Sequence, residues 1–445
     1  MQEGLLRRIL PTVPSLLETL GAKDIVSSSS NESLSLWLDK MLTMMSIVAF
    51  FAASLFAIRK LLLSITTKIS PASSMQQSGR SKFQAAPLVE ASIAKNARIL
   101  VTGGTGYVSG WIIKLALDAG YKVRTTVRKV GPAQDYLRRL AQNDGDLEIV
   151  ECELMSGQEE WDKAVKGCEG ICHVASPMDF GAADPLNDLV IPQLNGTECI
   201  LRAAKRFGVK RVVVTSSSQT ISSTTPDWKV KVYDENDWNT EASLTRFAYP
   251  YSKLLQEQLV FKFSREQGVS VVTMVPYSIC GPALPGSPCN TPQEKLVASV
   301  LRGEVFCGID FSVGIVDVRD VALAHLRALQ VPKACGRYIL WSDVLPYPEM
   351  YRLLREMRPD MAHNIPNFTL PRFLDFFILG FVRLKFGLGV MQIVQAGFGK
   401  FPRFDVSRTE KDLGIQFRSP REILSCSITA LEEWKCIPPP PLKKQ

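Results

Sequence analysis

The stretch Arg98–Gly110, RILVTGGTGYVSG, decides the fold of this chain. Ile99–Val101 is a short apolar run typical of a buried strand, and the apolar positions of residues 107–119 recur with helical spacing. Between them lie Gly103 and Gly106. Glycine lets backbone N–H groups come close to a pyrophosphate, whose charge is favoured at the positive N-terminus of a helix. The stretch therefore predicts a strand, a phosphate-binding turn and a helix.

The third glycine of this pattern is replaced. A G-x-x-G-x-x-G spacing that begins at Gly103 would end at position 109, where the chain has Ser109 followed by Gly110. That position packs the helix against the strand. We expect the small serine side chain to fill the same role.

Apolar runs and helical patterns alternate beyond this unit. Further strands are predicted at Lys122–Val127, Leu147–Val150, Gly170–Ala175, Arg211–Thr215 and Ser270–Val275. Helical patterns lie between them at Ala133–Gln142, Glu159–Val165, Leu186–Phe207 and Tyr251–Gln267. Such alternation is typical of an α/β fold with a Rossmann-type doubly wound parallel sheet. From Pro282 onward the alternation loosens, which predicts a smaller C-terminal substrate-binding portion.

The whole chain divides into six predicted segments. They are a flexible head at 1–41, a transmembrane anchor at 42–64, a linker at 65–95, a nucleotide-binding Rossmann domain at 96–281, a substrate-binding portion at 282–436 with segments that return to the sheet, and a Pro-rich tail at 437–445.

The anchor is predicted from Leu42–Ile58, a run of 17 uncharged residues. With snorkelling basic residues at Arg59 and Lys60, the segment reaches the roughly 20 residues that a bilayer requires. Basic residues follow the segment, so the positive-inside tendency places the C-terminal part in the cytosol. The expected membrane is that of the endoplasmic reticulum, and a cleaved organelle-targeting sequence is the alternative.

A second apolar stretch, Phe373–Val394, carries three charges, Asp375, Arg383 and Lys385, which argue against a membrane span. It either roofs an apolar substrate pocket or lies on the bilayer surface. Both interpretations favour a hydrophobic substrate.

Composition narrows the class of protein. The chain has 445 residues, of which 46% are hydrophobic and 22% charged, as in globular proteins. The net charge of +8 is mild and no long basic run is present, so nucleic-acid binding is not expected. Ten cysteines without a C-x-x-C pair favour reduced thiols, and with only three histidines no metal site is expected.

The end of the second predicted strand indicates which dinucleotide binds. An acidic residue there would grip a ribose 2′-hydroxyl, whereas arginine accommodates a 2′-phosphate. The strand ends in Thr126-Val127-Arg128-Lys129 with no carboxylate, which favours NADPH over NADH. Arg128 is the candidate, and Arg124 is a more ambiguous one.

Tyr249 and Lys253 form a Y-x-x-x-K pair near the start of a predicted helix. Positions i and i+4 share one helical face, so the ammonium lies close to the phenol. A neighbouring cation favours the phenolate and is expected to lower the tyrosine pKa from about 10. Tyr249 can then exchange the proton in carbonyl reduction. Tyr251 is a decoy, because Leu255 stands four residues after it.

Hydroxyl groups cluster where the fifth predicted strand ends, in Thr215-Ser216-Ser217-Ser218. This is the carboxyl edge of the sheet, where ligands of open α/β folds bind. One of these hydroxyls is expected to bind the substrate oxygen, and a serine-rich capping loop is the alternative.

With these three signals in this order, the chain resembles the extended short-chain dehydrogenases/reductases of the NAD-dependent epimerase/dehydratase family. Its branch is that of the dihydroflavonol reductases, cinnamoyl-CoA reductases and 3β-hydroxysteroid dehydrogenase-like proteins. The resemblance covers residues 97–434 and rests on VTGGTGYVSGW, VRTTVRK, HVASPMDF, KRVVVTSSS, VYDENDW, YPYSK, MVPYSICGP, VDVRDVALAH and GRYIL.

The resemblance implies a catalytic triad of Ser217, Tyr249 and Lys253. It implies NADP(H) as cofactor, held by Gly103, Thr105, Gly106, Tyr107, Val108, Arg128, Glu153, Leu154, Ala175, Tyr249, Lys253 and Pro276. Glu153 stands where the family has an aspartate before leucine. Asp317, Asp320 and His325 are interpreted as structural residues.

The expected function is an NADPH-dependent oxidoreductase that acts on a small, largely apolar carbonyl or alcohol. The chain has RFAYPYSK where cinnamoyl-CoA reductases have asparagine, tryptophan and cysteine, so their substrates are not implied. A nucleotide-sugar epimerase or dehydratase with retained NAD is the enzymatic alternative. A non-catalytic, membrane-tethered NADP-binding scaffold or sensor is the alternative of another class, and homodimerisation stays open.

Overall fold

The computed structural model describes residues 89–179, 182–222, 231–287, 292–305, 307–380, 382–384, 391, 395, 398 and 403–440. The predicted head, the anchor at 42–64, the linker up to residue 88 and most of the second apolar stretch beyond residue 384 lie outside them. Within the described residues, no helix is both long and apolar enough to cross a bilayer.

Twelve strands are described, and seven of them form one parallel sheet. They are β1 Arg98–Val101, β2 Lys122–Val127, β3 Leu147–Glu151, β4 Gly170–His173, β5 Arg211–Thr215, β6 Val232–Tyr233, β7 Val271–Pro276, β8 Ser278–Cys280, β9 Ser312–Asp317, β10 Gly336–Leu340, β11 Asp343–Pro346 and β12 Arg403–Phe404. The central order is β10-β7-β5-β4-β1-β2-β3. This order reverses between β1 and β4, which makes the sheet doubly wound and creates a crevice at its carboxyl edge.

Helices cover both faces of this sheet. The helices of the chain include α1 Tyr107–Asp118, α2 Asp135–Arg138, α3 Gln158–Val165, α4 Ile191–Arg206, α5 Ala248–Gln267, α6 Pro292–Leu301, α7 Val318–Gln330, α8 Tyr347–Met357, α9 Ser407–Leu413 and α10 Pro420–Glu433. Of these, α1 and α7 pack on one face of the sheet and α3, α4 and α5 on the other. A π-helical turn, Leu186–Val190, leads into α4.

Alternating residues of the strands pack into two separate apolar cores, one on each face of the sheet. On β1, Ile99 packs into a core with α1 and α7, whereas Leu100 packs into one with α3, α4 and α5. Both side chains are fully buried. The central strands β1, β5 and β7 are therefore largely apolar, as expected for a parallel sheet that is covered on both faces.

A smaller layer stands beside the central sheet. Strands β8 and β9 pair in parallel, and β11 pairs antiparallel with β9. A third core of buried residues joins this sheet to α6, α8 and α10. The two-residue strands β6 and β12 form a separate parallel pair.

Some helix boundaries differ from the sequence predictions. The helix predicted at Ala133–Gln142 is only the four-residue α2, because the chain on either side winds more tightly into 3-10-type turns. The helix predicted to begin at Tyr251 begins at Ala248. Pro250 lies in its first turn, where a missing N–H costs nothing, so this proline does not delay the helix.

Candidate active site

The glycine turn between β1 and α1 is held by the end of β2. Thr126 accepts from the turn twice, through its carbonyl from the Gly104 amide at 2.8 Å and through its hydroxyl from the Gly103 amide at 3.1 Å. Gly103 has a φ of +69°, a left-handed backbone that L side chains rarely adopt. The turn is therefore specific to glycine at this position.

The second half of the turn starts helix α1. Gly106 is the N-cap of α1 with an extended backbone, and a Cβ there would lie 3.0 Å from the Ser109 hydroxyl. Ser109 is 2% exposed, so the residue at the third glycine position is packed inside, as the sequence predicts. Val108 is buried beside it, and Thr105 and Tyr107 are partly buried in the same turn.

The loop after β4 lies against this turn. A Cβ built on Gly103 would be 3.2 Å from the Cβ of Ala175. Strand β4 ends at His173 rather than at Ala175 as predicted, because the amides of Val174 and Ala175 turn away from the ladder. Both donate to the Thr102 hydroxyl oxygen at 2.9 Å. The predicted cofactor residue Ala175 is thereby fixed next to the glycine turn.

The two arginines of β2 have different environments. Arg124 is 8% exposed and donates to the carbonyls of Ala164 and Lys166, at 2.9 and 2.7 Å. It therefore caps the C-terminus of α3 and is no candidate for a phosphate. Arg128 is exposed at the carboxyl edge of the sheet, immediately after β2. A guanidinium in that position can form hydrogen bonds with a 2′-phosphate.

Glu153 and Leu154 follow β3 along the same edge. The Leu154 side chain packs so closely on α4 that a Cβ at Gly196 would lie 2.6 Å from its Cδ2. The Leu154 carbonyl accepts from the Asn195 side chain at 2.9 Å. Glu153 is exposed. Both predicted residues thus lie beyond the carboxyl ends of the central strands.

Ser217 follows β5 by two residues. It is 9% exposed, and its hydroxyl oxygen accepts from the Gln219 amide at 3.3 Å, which leaves the hydroxyl hydrogen for another acceptor. Pro276 ends the neighbouring strand β7, where it is buried and paired in register with Leu340. The serine predicted as catalytic therefore occupies the carboxyl edge of the sheet.

Helix α5 brings the other two predicted catalytic residues to this edge. The Lys253 ammonium donates to the Thr215 carbonyl at 2.9 Å, two residues before Ser217. Tyr249 is one helical turn earlier on α5, so its Cβ lies about 6 Å from that of Lys253. The structure thus brings β5 and the Y-x-x-x-K pair together.

The electrostatics differ from the sequence expectation. Burial raises the pKa of Tyr249 to about 12, whereas a lowered pKa was predicted. Burial also lowers the pKa of Lys253 to about 7, with Glu257 acting in the opposite direction. The reason is that the dry setting disfavours both charged forms and the lysine is directed to the Thr215 carbonyl.

The residues interpreted as structural are buried in polar contacts. Asp317 caps α7 and pairs with Arg319 at 2.7 Å. Asp320 is 1% exposed and pairs with Arg418. His325 lies 2.8 Å from the Thr215 hydroxyl and therefore supports the strand that carries the site.

Some residues that shape the site were not predicted as site residues from the sequence. Gly104 is one, because a Cβ there would lie 2.3 Å from the Thr125 hydroxyl. Thr102 and Gln256 are others, since Thr102 bonds to His173 and Gln256 to Thr197, both in distant parts of the chain. The position of Thr102 directly after the β1 run, and the spacing of Gln256 one turn beyond Lys253 and two turns beyond Tyr249, were the available signals.

The chain is similar to several known proteins. It is 32% identical over 282 residues to the bifunctional dihydroflavonol 4-reductase/flavanone 4-reductase of Malus domestica, which covers 61% of this chain and 79% of that protein. Vestitone reductase from alfalfa has a similar structure, with a TM-score of 0.58 and 27% identity over 77% of this chain and all of that one. Yeast methylglyoxal/isovaleraldehyde reductase Gre2, solved with NADPH, has a TM-score of 0.62 at 24% identity over 76% and 99% of the two chains, which shows a shared fold.

The family profile covers the sheet and the site together. The profile of the NAD dependent epimerase/dehydratase family matches residues 99–339, from β1 to β10. This range includes the glycine turn, Arg128, Ser217, Tyr249 and Lys253. The chain therefore belongs to the NAD dependent epimerase/dehydratase family.

Proposed function

We propose that this protein is an NADPH-dependent reductase of an apolar aldehyde or ketone. The observation that carries the proposal is the contact of Lys253 with the Thr215 carbonyl, at 2.9 Å. This contact joins helix α5, which carries the Y-x-x-x-K pair, to the end of β5, two residues before Ser217, at the edge where ligands of this fold bind. The similarity to dihydroflavonol 4-reductase and vestitone reductase supports reduction of a carbonyl.

The dinucleotide fits the residues that are present. Gly103 and Gly106 carry no side chain that would shield the amides of the turn, and α1 begins at this point. These features suit a pyrophosphate. Arg128 is exposed where the 2′-phosphate of NADPH is expected, with no carboxylate beside it in the strand end. NADPH, when bound, supplies the hydride.

Side chains of α5 and of the segment after β5 carry out the proton transfer. Burial keeps the pKa of Tyr249 at about 12, so the phenol holds its proton at neutral pH and can donate it to the substrate oxygen. Ser217 donates its free hydroxyl hydrogen to the same oxygen and orients it. Lys253 stabilises the phenolate that forms after proton transfer, because it lies one turn away on the same face.

The substrate class and the anchor are further parts of the proposal. The apolar stretch Phe373–Val394 supports a hydrophobic substrate, and exposed Phe376 is one of its side chains. The uncharged run Leu42–Ile58 supports a membrane anchor with the catalytic part in the cytosol. A reporter fused after Lys60 tests the anchor. Retention in the membrane after alkaline extraction is expected, and full solubilisation would exclude an anchor.

The chemistry is tested by a matched pair of variants of the full chain. Tyr249→Phe is expected to lower NADPH oxidation by about 100-fold or more across aldehydes, ketones, sterols and acyl-CoA esters. Tyr251→Phe, two residues away on the same helix, is expected to keep wild-type turnover. Equal turnover by both variants would exclude Tyr249 as the acid. Retained NAD and activity on nucleotide sugars without net NADPH turnover would favour an epimerase.

A further inference from the structure

A buried chain of hydrogen bonds begins at the catalytic lysine. The Lys253 ammonium donates to Gln256 Oε1 at 3.2 Å, in addition to the Thr215 carbonyl. Gln256 Nε2 in turn donates to the Thr197 hydroxyl oxygen at 3.0 Å. Gln256 and Thr197 are fully buried. The Lys253 ammonium is therefore connected, through the side-chain amide of Gln256, to Thr197 in the middle of helix α4.

The direction of the next bond follows from the Thr197 hydroxyl. This group has one hydrogen, which it donates to the Gln193 carbonyl at 2.7 Å. It therefore accepts from its other partners, and His173 Nε2 lies 3.1 Å away. His173 must carry its hydrogen on Nε2. In a neutral ring, this leaves Nδ1 as an acceptor.

The chain ends at the glycine turn. The Thr102 hydroxyl lies 3.1 Å from His173 Nδ1 and is its donor, because that nitrogen has no hydrogen. The Thr102 oxygen accepts from the amides of Val174 and Ala175 with its two lone pairs. Each hydrogen bond along the chain from Thr102 to Lys253 thus has one direction.

We propose that His173 and Thr197 are positioning residues for Lys253, a role that rests on the proposed reductase function. Through Gln256 they hold the ammonium in place, and through Thr102 they hold the Ala175 loop against the turn that receives the cofactor. The His173 imidazole therefore links Lys253, which tunes the proton donor Tyr249, to the Ala175 loop beside the dinucleotide. Neither His173 nor Thr197 touches substrate.

The hydrogen bonds of His173 require that its imidazole ring is neutral. A hydrogen on Nδ1 would point at the Thr102 oxygen, whose lone pairs already accept from two amides. Burial, followed by the charge of Lys253, lowers the pKa of His173 to about 3, in agreement with this geometry. His173 therefore stays neutral over the working pH range and cannot act as a general acid or base there.

Several charged and titratable groups face Lys253. Glu257, one turn further along α5, pairs with Arg337 of β10 at 2.8 Å. His173 faces it from β4, and Tyr249 precedes it on α5. A hydrogen bond from an ammonium favours its charged form. Loss of the bond between Lys253 and Gln256 is therefore expected to lower the pKa of Lys253.

Three single variants of the full chain test this role. Thr197→Val removes the hydroxyl at nearly constant shape, Thr197→Ser keeps it, and Thr273→Val is the matched control. Thr273 is equally buried in β7, but its hydroxyl has no partner among the described residues. Thr197→Val is expected to lower kcat with NADPH by about 10- to 100-fold. The alkaline limb of its kcat/KM profile is expected to move to lower pH. Thr197→Ser and Thr273→Val are expected to remain close to wild type.

An activity-independent measurement accompanies the kinetics. The ring ¹⁵N shifts of His173, assigned from their loss in His173→Gln, are expected to show the Nε2–H tautomer and no protonation down to about pH 4. A ring that titrates near pH 6.5 or carries its hydrogen on Nδ1 would overturn the proposal. Unchanged kcat and pH profile in a folded Thr197→Val would also overturn it. Inactivity of wild type toward all carbonyls would instead refute the reductase function, which the tautomer does not test.

Discussion

The hydroxyl of Tyr107 donates to the carbonyl oxygen of Gly281 at 2.6 Å, and so joins the first turn of α1 to the loop after β8. One turn later, Trp111 donates its indole N–H to the Pro282 carbonyl at 2.7 Å. Two successive turns of α1 thus donate hydrogen bonds to two successive carbonyls of this loop. This contact connects the glycine turn to the smaller sheet, which the family resemblance alone did not predict.

Loss of this contact is expected to loosen the loop. Tyr107→Phe removes one neutral hydrogen bond and leaves a carbonyl without its donor, so the free energy of unfolding is expected to fall by about 1 kcal/mol. Denaturant unfolding measures this change, with Tyr251→Phe, another partly buried tyrosine, as control. A Tyr107→Phe protein as stable as wild type would show that the hydroxyl adds nothing to the fold.

Arg128 is expected to determine the cofactor preference. Its exposed guanidinium at the end of β2 can pair with a 2′-phosphate, which NADH lacks. Arg128→Ala is expected to weaken NADPH binding by about tenfold, or about 1.4 kcal/mol, and to leave NADH binding unchanged. Titration calorimetry with both dinucleotides measures this, and Lys262→Ala on the exposed face of α5 controls for the loss of a positive charge. An equal loss for both dinucleotides would contradict a 2′-phosphate role.

The sheet was predictable because its strands are buried on both faces. Lys122–Val127 and Arg211–Thr215 match the predicted strands residue for residue. Both strands are rich in the β-branched residues valine and threonine, so they can be recognised without knowledge of the neighbouring strands. The end of β4 was missed because the amides of Val174 and Ala175 bond to Thr102, more than 70 positions earlier in the chain.

The candidate site was predictable where it depends on local spacing. The i, i+4 relation of Tyr249 and Lys253 requires only that both lie on one helix. The partners of Lys253 were not predictable in the same way, since Thr215 lies 38 positions away and no local pattern links the two. The raised pKa of Tyr249 also escaped prediction, because burial is a property of the folded chain.

Gly104 is expected to tolerate no side chain. A Cβ there would lie 2.3 Å from the hydroxyl oxygen of Thr125, which itself donates to the Val101 carbonyl at 2.7 Å. Gly104→Ala is expected to destabilise the protein by about 1–3 kcal/mol through overpacking. Gly131→Ala is the control, because its Cβ would meet nothing within 4 Å. Chemical denaturation compares the two, and partial rescue of Gly104→Ala by Thr125→Ala is expected if the hydroxyl is the obstacle.

His325 is expected to make the fold sensitive to acid. Its Nδ1 donates to the Val321 carbonyl at 2.7 Å, so Nε2 accepts from the Thr215 hydroxyl. Burial lowers its pKa to about 4, below the value near 6.5 of an unfolded histidine. Between these values unfolding takes up a proton, so the free energy of unfolding falls as the pH drops from about 6.5 to about 4.

This contribution has a defined slope. One histidine adds about 1.4 kcal/mol per pH unit within that window, and the buried His173 adds to it with the same sign. His325→Gln is expected to reduce the slope by about that amount, whereas His363→Gln, at an exposed position, is expected to keep it. Urea unfolding at several pH values between 4 and 7 gives both slopes. If His325→Gln kept the wild-type slope, the ring would already be protonated in the folded protein, and its acceptor role toward Thr215 would be wrong.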